Sequence, residues 1–217
     1  MIHTMEQGSP SWFELRSKLV TATDFSSIAH RAKIIRYPYA KAKVETHIKS
    51  KVTHTLQNAA MAKGQAYEPI IMAELLKENP ILDNLIMQVN NNMASYDAVD
   101  VFDGVIREIK TSSTTLDKIQ LLIPGYVAQV IHQAYVLHSH LEGNIPLIDM
   151  DCKIVLLQFL PDESTTWHII DITMGELVHY ECATLQLNSN ININIELWHE
   201  LCNEFHKELI KHHNNIS

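Results

Sequence analysis

The sequence predicts a mixed α/β (α+β) fold, a central mixed β-sheet flanked by helices. Three observations carry that expectation. Apolar residues recur at helical spacing toward both ends of the chain, alternation replaces that period in between, and strong turn dipeptides punctuate the alternating stretches. The 217 residues, 46% of them hydrophobic, suffice for one domain with a real core, and no seam divides residues 1–217 into two.

The elements follow in order. Ser11 to Arg16 is read as helical, with Trp12, Leu15 and Leu19 at apolar spacing. Thr21-Ala22-Thr23-Asp24 offers N-cap candidates for a second helix starting near Phe25. Pro38 interrupts a basic stretch. A long helix is expected over Gln57 to Glu78, with Gly64 inside it and Asn79-Pro80 as its stop. Met93 to Val101 then alternates loosely, Asp103-Gly104 signals a tight turn, and Val105 to Thr111 alternates again, so a β-hairpin is expected. Leu116 to Ile123 reads as a short helix, and Pro124-Gly125 opens another that runs to about His140. Lys153 to Leu160 and Thr165 to Ile172 form a second strand pair across Pro161-Asp162-Glu163. From about Ile193 to His212 the chain is again helical, with Ile195, Leu197, Leu201, Phe205 and Leu209 in near-helical register.

Composition narrows the function classes. No apolar run reaches the length of a membrane span, and Met1 to Pro10 lacks the basic and apolar regions of a signal peptide. Cys152, Cys182 and Cys202 are odd in number and widely spaced, which suggests neither a disulfide framework nor a thiolate zinc site and fits a reducing, cytosolic setting. The thirteen histidines include no H-E-x-x-H or other tight ligand spacing. A net charge of -8 argues against a general nucleic-acid coat protein. Its distribution says more. Arg16, Lys18, Arg31, Lys33, Arg36, Lys41, Lys43, Lys49 and Lys51 face only Asp24 and Glu45 in their segment, which carries +7 and leaves -15 for the rest. That is the pattern of an electropositive contact surface on an acidic body, or of a solvated helix face.

The hairpin carries the chemistry. With the turn centred on Asp103-Gly104, Asp97 faces Lys110, Glu108 lies diagonally on the same side, and Ile109 points into the core. Two carboxylates and an amine then converge. Hard oxygen ligands suit Mg²⁺ or Mn²⁺, and a metal held by Asp97, Glu108 and the Ile109 carbonyl would polarise a phosphate and acidify a bound water. Lys110 could position that water or stabilise developing charge. The alternative is a salt-bridge cluster on an edge hairpin.

Four blocks, in order across roughly residues 6 to 135, resemble the lambda-type exonuclease or YqaJ-like viral recombinase family of the PD-(D/E)XK nuclease fold. The first is Glu6-Gln7-Gly8-Ser9-Pro10-Ser11-Trp12-Phe13-Glu14-Leu15-Arg16 with Val20-Thr21-Ala22-Thr23-Asp24-Phe25. The second is Lys63-Gly64-Gln65-Ala66-Tyr67-Glu68-Pro69, like the family's G-x-x-x-E-P helix. The third pairs Ala94-Ser95-Tyr96-Asp97-Ala98 with Arg107-Glu108-Ile109-Lys110-Thr111, like S-P-D-G and E-I-K. The fourth is Tyr126-Val127-Ala128-Gln129-Val130 with Gln133. Tyr96 and Ala98 replace the family's Pro and Gly, and Thr23 replaces its Ser.

The resemblance implies a PD-(D/E)XK-like nuclease with Asp97, Glu108 and Lys110 as its core, Glu68 pointing at the same metals, and Gln129 approaching the site from one helical face with Tyr126 and Gln133. It implies Arg16 and Thr23 as holders of a 5′-terminal phosphate. By itself Glu68 could equally be a solvated helix residue, Gln129 an ordinary polar position, and Arg16 a partner of Glu14 or Asp24. Trp12 and Phe13 read as core. Tyr37 and Tyr39 could stack on bases or pack their own loop. The implied activity is Mg²⁺-dependent digestion of one strand of linear duplex DNA from its 5′ end in phage-type recombination, with Mn²⁺ as substitute. Double-stranded DNA ends, a single-strand annealing protein and a ring-shaped homotrimer are the implied partners, in a bacterial or phage-encoded cytoplasmic setting. Two alternatives stand beside it: a structure-specific or single-strand endonuclease of the same fold, and a catalytically silent DNA-binding module.

Overall fold

In the computed structural model residues 1–40 and 59–215 are described. Helix α1 (Pro10–Lys18) starts where Ser9 Oγ accepts the Trp12 N–H and Pro10 occupies the first turn, a position that needs no N–H. Helix α2 (Ala22–Arg31) is capped by Thr21, whose hydroxyl accepts the Asp24 N–H while the Asp24 carboxylate accepts the Thr21 N–H at 2.8 Å. The helix thus begins three residues before Phe25, the expected start, and Thr23 lies exposed in its first turn rather than at the cap.

Helix α3 (Ala59–Glu78) contains Pro69 and ends at the expected Asn79-Pro80. Helix α4 spans Leu116–His140 without interruption, where two helices meeting at Pro124 were expected. An interior proline costs about 3 kcal/mol. Ile119, Leu122, Ile123, Val127, Val130 and Ile131 are all buried on this helix, and burial at about 1.5–3 kcal/mol per large apolar side chain outweighs the break. Helix α5 (Ile195–Asn214) closes the chain, capped by the Asn194 carbonyl oxygen of the side chain on the Leu197 N–H.

Among the described residues the strands form one nine-stranded sheet. Its strands are β1 (Ile2–His3), β2 (Val20–Thr21), β3 (Asp83–Val89), β4 (Asn92–Asp100), β5 (Val105–Ser112), β6 (Asp151–Phe159), β7 (Thr165–Thr173), β8 (Val178–Cys182) and β9 (Leu187–Ile191). The order is β1-β3-β4-β5-β6-β7-β8-β9, with β2 beside β4. The sheet is mixed. β5 and β6 are parallel, joined by the α4 crossover, and β2 and β4 are parallel, whereas the other neighbours are antiparallel. The main core lies between one sheet face and α2, α4 and α5, and includes Phe25, Ile106, Ile131 and Trp198. On the other face α3 covers Ile109, Val155 and Leu157 through Ile71, and Trp12 of α1 covers Ile86 and Met93.

The hairpin register differs from the expected one. Asp100 pairs with Val105, Val99 with Ile106 and Ala98 with Arg107, so residues 101–104 form the loop and each partner is shifted by two. The cause is an Asx turn: the Asp100 carboxylate accepts the N–H groups of Phe102 (2.9 Å) and Asp103 (3.3 Å), which starts the reversal earlier. A shift of two preserves the faces. Ile106 stays in the main core and Glu108 and Lys110 follow it by alternation, while Ile109 points to the α3 side. Asp97 therefore lies across from Glu108, and the expected pairing with Lys110 does not form.

Candidate active site

The site is built where β4 stops pairing regularly. On β3, Asp83 pairs with Val99 and Leu85 with Tyr96, so Asp97 and Ala98 together oppose Asn84. Such a bulge re-aims side chains. Tyr96 and Val99 consequently both enter the main core, and Ala98 packs on the α3 side. Asp97, inside the bulge, turns its carboxylate to accept the Ile109 N–H at 2.8 Å. It takes the place a ladder carbonyl would otherwise fill.

Glu108 is 5% exposed. One carboxylate oxygen accepts from the Lys110 ammonium, and the other accepts from Gln133 Nε2 at 2.6 Å. The same Nε2 donates to the Ser95 carbonyl at 3.0 Å, and the Tyr96 hydroxyl donates to the Gln133 carbonyl at 2.8 Å. The Gln133 Oε1 is buried with no hydrogen-bond partner among the described residues, and the amide orientation follows, because a flip would aim that oxygen at two acceptors. Beyond Ser95 the network reaches α1: Trp12 Nε1 donates to Ser95 Oγ at 3.1 Å, and the Arg16 guanidinium lies 4.9 Å from the Trp12 ring.

Burial, and then the neighbouring Glu108 carboxylate, push Asp97 well above the usual carboxylate range, against the pull of Lys110 and the Ile109 N–H. Burial alone would lower the Lys110 amine, but Glu108 and Asp97 outweigh it and hold the ammonium above its ordinary value. Glu68 on α3 is raised mainly by burial; Lys110 lowers it and Glu108 raises it. Glu68, Pro69, Met72, Asn84 and Asp97 line a common cleft of about 310 Å³. Asp97, Glu108, Lys110 and Glu68 thus share one electrostatic environment. The three carboxylates still do not form a tight trio: among the described residues no group of three or more His, Cys, Asp or Glu side chains is placed to hold a metal ion.

The other expected site residues divide. Gln129 is buried on α4 one turn before Gln133, and it is Gln133 that reaches Glu108. Arg16 lies in the last turn of α1, where burial lowers its pKa and Asp24 of α2 raises it. Of its two expected alternative partners, Glu14 instead takes Lys18 at 2.7 Å. Arg31 turns inward, 5.5 Å from the Phe205 ring and under the influence of Glu208. Lys33 and Arg36 are exposed beside it and help line a shallow depression. Lys41, Lys43, Lys49 and Lys51 lie outside the described residues. The sequence places Gln133 on the helical face of Gln129 and Tyr126 but does not single it out as the donor to Glu108, nor Ser95 as the second acceptor of that donor. The signal available was only a second glutamine one turn beyond Gln129.

A model of the YqaJ-like viral recombinase domain matches residues 11–140. The chain belongs to that family. The YqaJ-like match takes in Arg16, Thr23, Glu68, Asp97, Glu108, Lys110, Gln129 and Gln133, and it ends with the last residue of α4. A solved structure of LHK-Exo in complex with dAMP is similar over 96% of each chain, with a TM-score of 0.53 and 16% sequence identity. The shared fold is that of the PD-(D/E)XK nucleases, and it extends beyond the family match through β6–β9 and α5. No curated protein sequence matches the chain. Among the described residues no helix is long and apolar enough to cross a membrane.

Proposed function

We propose that this YqaJ-like domain is a metal-dependent DNA exonuclease that digests one strand of linear duplex DNA from its 5′ end, acting as a single nuclease domain over residues 1–217. The observation that carries the reading is the convergence of Asp97, Glu108 and the Lys110 ammonium at a buried β-bulge. A buried Asp97 whose carboxyl is pushed up by burial and by the neighbouring Glu108, beside the Lys110 ammonium, is an expensive arrangement for a purely structural role. LHK-Exo, the structural neighbour, holds a nucleoside monophosphate, which agrees with a product of this class.

The donor chemistry fits a hard divalent cation. Asp97, Glu108 and the Ile109 carbonyl are oxygen donors, Glu68 borders the same cleft, and Asp97 beside Glu108 leaves negative charge that a cation would relieve. Mg²⁺, with Mn²⁺ as substitute, would supply Lewis-acid polarisation of the scissile phosphate and a more acidic bound water. The protein's own residues do the rest. Lys110 orients the attacking water or neutralises charge on the phosphoryl oxygens in the transition state. Gln133 fixes the Glu108 carboxylate by holding one of its oxygens. Gln129, buried one turn earlier on the same helix, is assigned to the site with it. Arg16 and Thr23, at the α1–α2 junction, hold the 5′-terminal phosphate, the guanidinium by its fork and the hydroxyl by a hydrogen bond. Arg31, Lys33, Arg36, Lys41, Lys43, Lys49 and Lys51 supply the field that draws duplex DNA to an otherwise acidic chain. A single-strand annealing protein, a ring-shaped trimer and a bacterial cytoplasm complete the reading.

Two outcomes test these assignments. Wild type should cut a 5′-phosphorylated linear duplex faster than the matched 5′-hydroxyl duplex, and Arg16→Ala should erase that preference while leaving general DNA binding largely intact. An unchanged preference in Arg16→Ala would remove the end-anchoring role. Gln133→Met keeps the side-chain volume but deletes the donor to Glu108. It should weaken Mn²⁺ binding, measured by titration without DNA, by about 10- to 100-fold. The melting temperature of the metal-free protein is the control, since a purely structural glutamine would change melting and leave the metal affinity of the folded protein untouched.

A further inference from the structure

The loop after α2 carries an aromatic pair that the assignments above do not use. The Tyr37 N–H donates to His30 Nδ1 at 3.0 Å, and the Tyr37 ring lies on α4 so close to Gly125 that a Cβ there would sit 2.3 Å from it. Gly125 is therefore the residue that admits Tyr37. Tyr126, next on α4, has its ring 5.4 Å from the Lys110 ammonium. The Tyr37 phenol, pushed up to about 12 first by burial and then by Tyr126, also feels Lys110, which places all three within electrostatic reach. Tyr39 stands edge-on to Tyr37, with ring centroids 6.2 Å apart and an interplanar angle of 82°. It is nonetheless 66% exposed.

Lys110, Tyr126, Tyr37 and Tyr39 thus lead from the proposed reacting centre out to solvent. Of the two loop tyrosines, Tyr37 is the one spent on packing. An edge-on pair leaves a face of the outer ring open, and an aromatic face beside a phosphate-handling cation suits a base, whose own π-face stacks whatever its identity. We propose that Tyr39, held in place by Tyr37 and Gly125, is a stacking platform for the nucleobase adjoining the phosphodiester that Lys110 serves. The proposal rests on the nuclease reading.

The probe is a short 5′-phosphorylated duplex with 2-aminopurine at the base adjoining the scissile phosphate, bound in Ca²⁺ for fluorescence and turned over in Mg²⁺. Wild type should quench the fluorescence on binding. Tyr39→Ala should lose the quench and raise KM by about five- to hundredfold, the effect of removing one base–aromatic stack, with kcat changed by less than about threefold. Tyr39→Phe should keep both the quench and the wild-type KM, because the ring acts and not the hydroxyl. An unchanged melting temperature in Tyr39→Ala would support the binding role over a structural one. Wild-type quench and KM in Tyr39→Ala would overturn the proposal, and so would a Tyr39→Phe as defective as Tyr39→Ala. A wild-type protein that neither binds nor cuts the duplex would overturn the nuclease reading itself, and is told apart by that result alone.

Discussion

Lys110→Ala and Asp97→Ala are each expected to slow cleavage of linear duplex DNA by at least about 100-fold, a barrier increase of about 2.7 kcal/mol. The two substitutions remove different things. Lys110→Ala takes away the ammonium bonded to Glu108 and leaves that carboxylate, among the described residues, with its bond to Gln133. Asp97→Ala takes away an oxygen donor and also strands the Ile109 N–H. Asp97→Asn keeps an acceptor for that N–H, so it separates loss of charge from loss of the hydrogen bond. Asn should be as defective in cleavage as Ala, with less effect on melting. Binding of the same duplex in Ca²⁺ should largely survive in all three variants, because the proposed DNA-binding segment, Arg31 to Lys51, is left intact. Single-turnover rates beside equilibrium binding check both halves. Near wild-type cutting by either alanine variant would place the reacting groups elsewhere.

The hairpin shows how far sequence reasoning carries. Alternation and Asp103-Gly104 are local signals, and both strands form where those signals place them. The register was beyond them, because the Asp100 carboxylate competes for the turn by bonding the next N–H groups. The shift of two still left Glu108 and Lys110 on the expected face, since the strand period is two. The bulge at Asp97 was not legible at all. It exists only as a mismatch with β3, a strand the sequence reading does not assign. In β3, Ile86 packs under Trp12 and Met87 in the main core, so the middle of the strand is buried on both faces, Asp83 and Asn84 are exposed, and no alternation shows. Pro124 misled for a related reason: propensity is local, whereas the burial that holds α4 together is tertiary. Gln133 against Gln129 is a matter of position along the helix, since residues four apart share a face. One turn separates them, and packing on the sheet decides which meets Glu108. The strand pair β6–β7 and helix α5 were legible throughout, the former from its turn and alternation, the latter from its apolar period.

Chelation should have the other large effect, and it tests the central claim when combined with the shape of the substrate. The proposed ligands are oxygens, and Cys152, Cys182 and Cys202 are all buried and free, so a hard cation and not zinc should be the working metal. The measurement is product release by wild-type protein from a 5′-phosphorylated linear duplex and from a closed circle of the same sequence, with Mg²⁺, with Mn²⁺, with Ca²⁺ and after exhaustive chelation. The expected result is mononucleotides from the linear duplex alone, with Mg²⁺ or Mn²⁺ present, and no release in Ca²⁺ or in chelator. Nicking of the circle would contradict the exonuclease reading in favour of an endonuclease of the same fold, and robust cleavage after chelation would contradict the metal-dependent site at Asp97, Glu108 and Lys110.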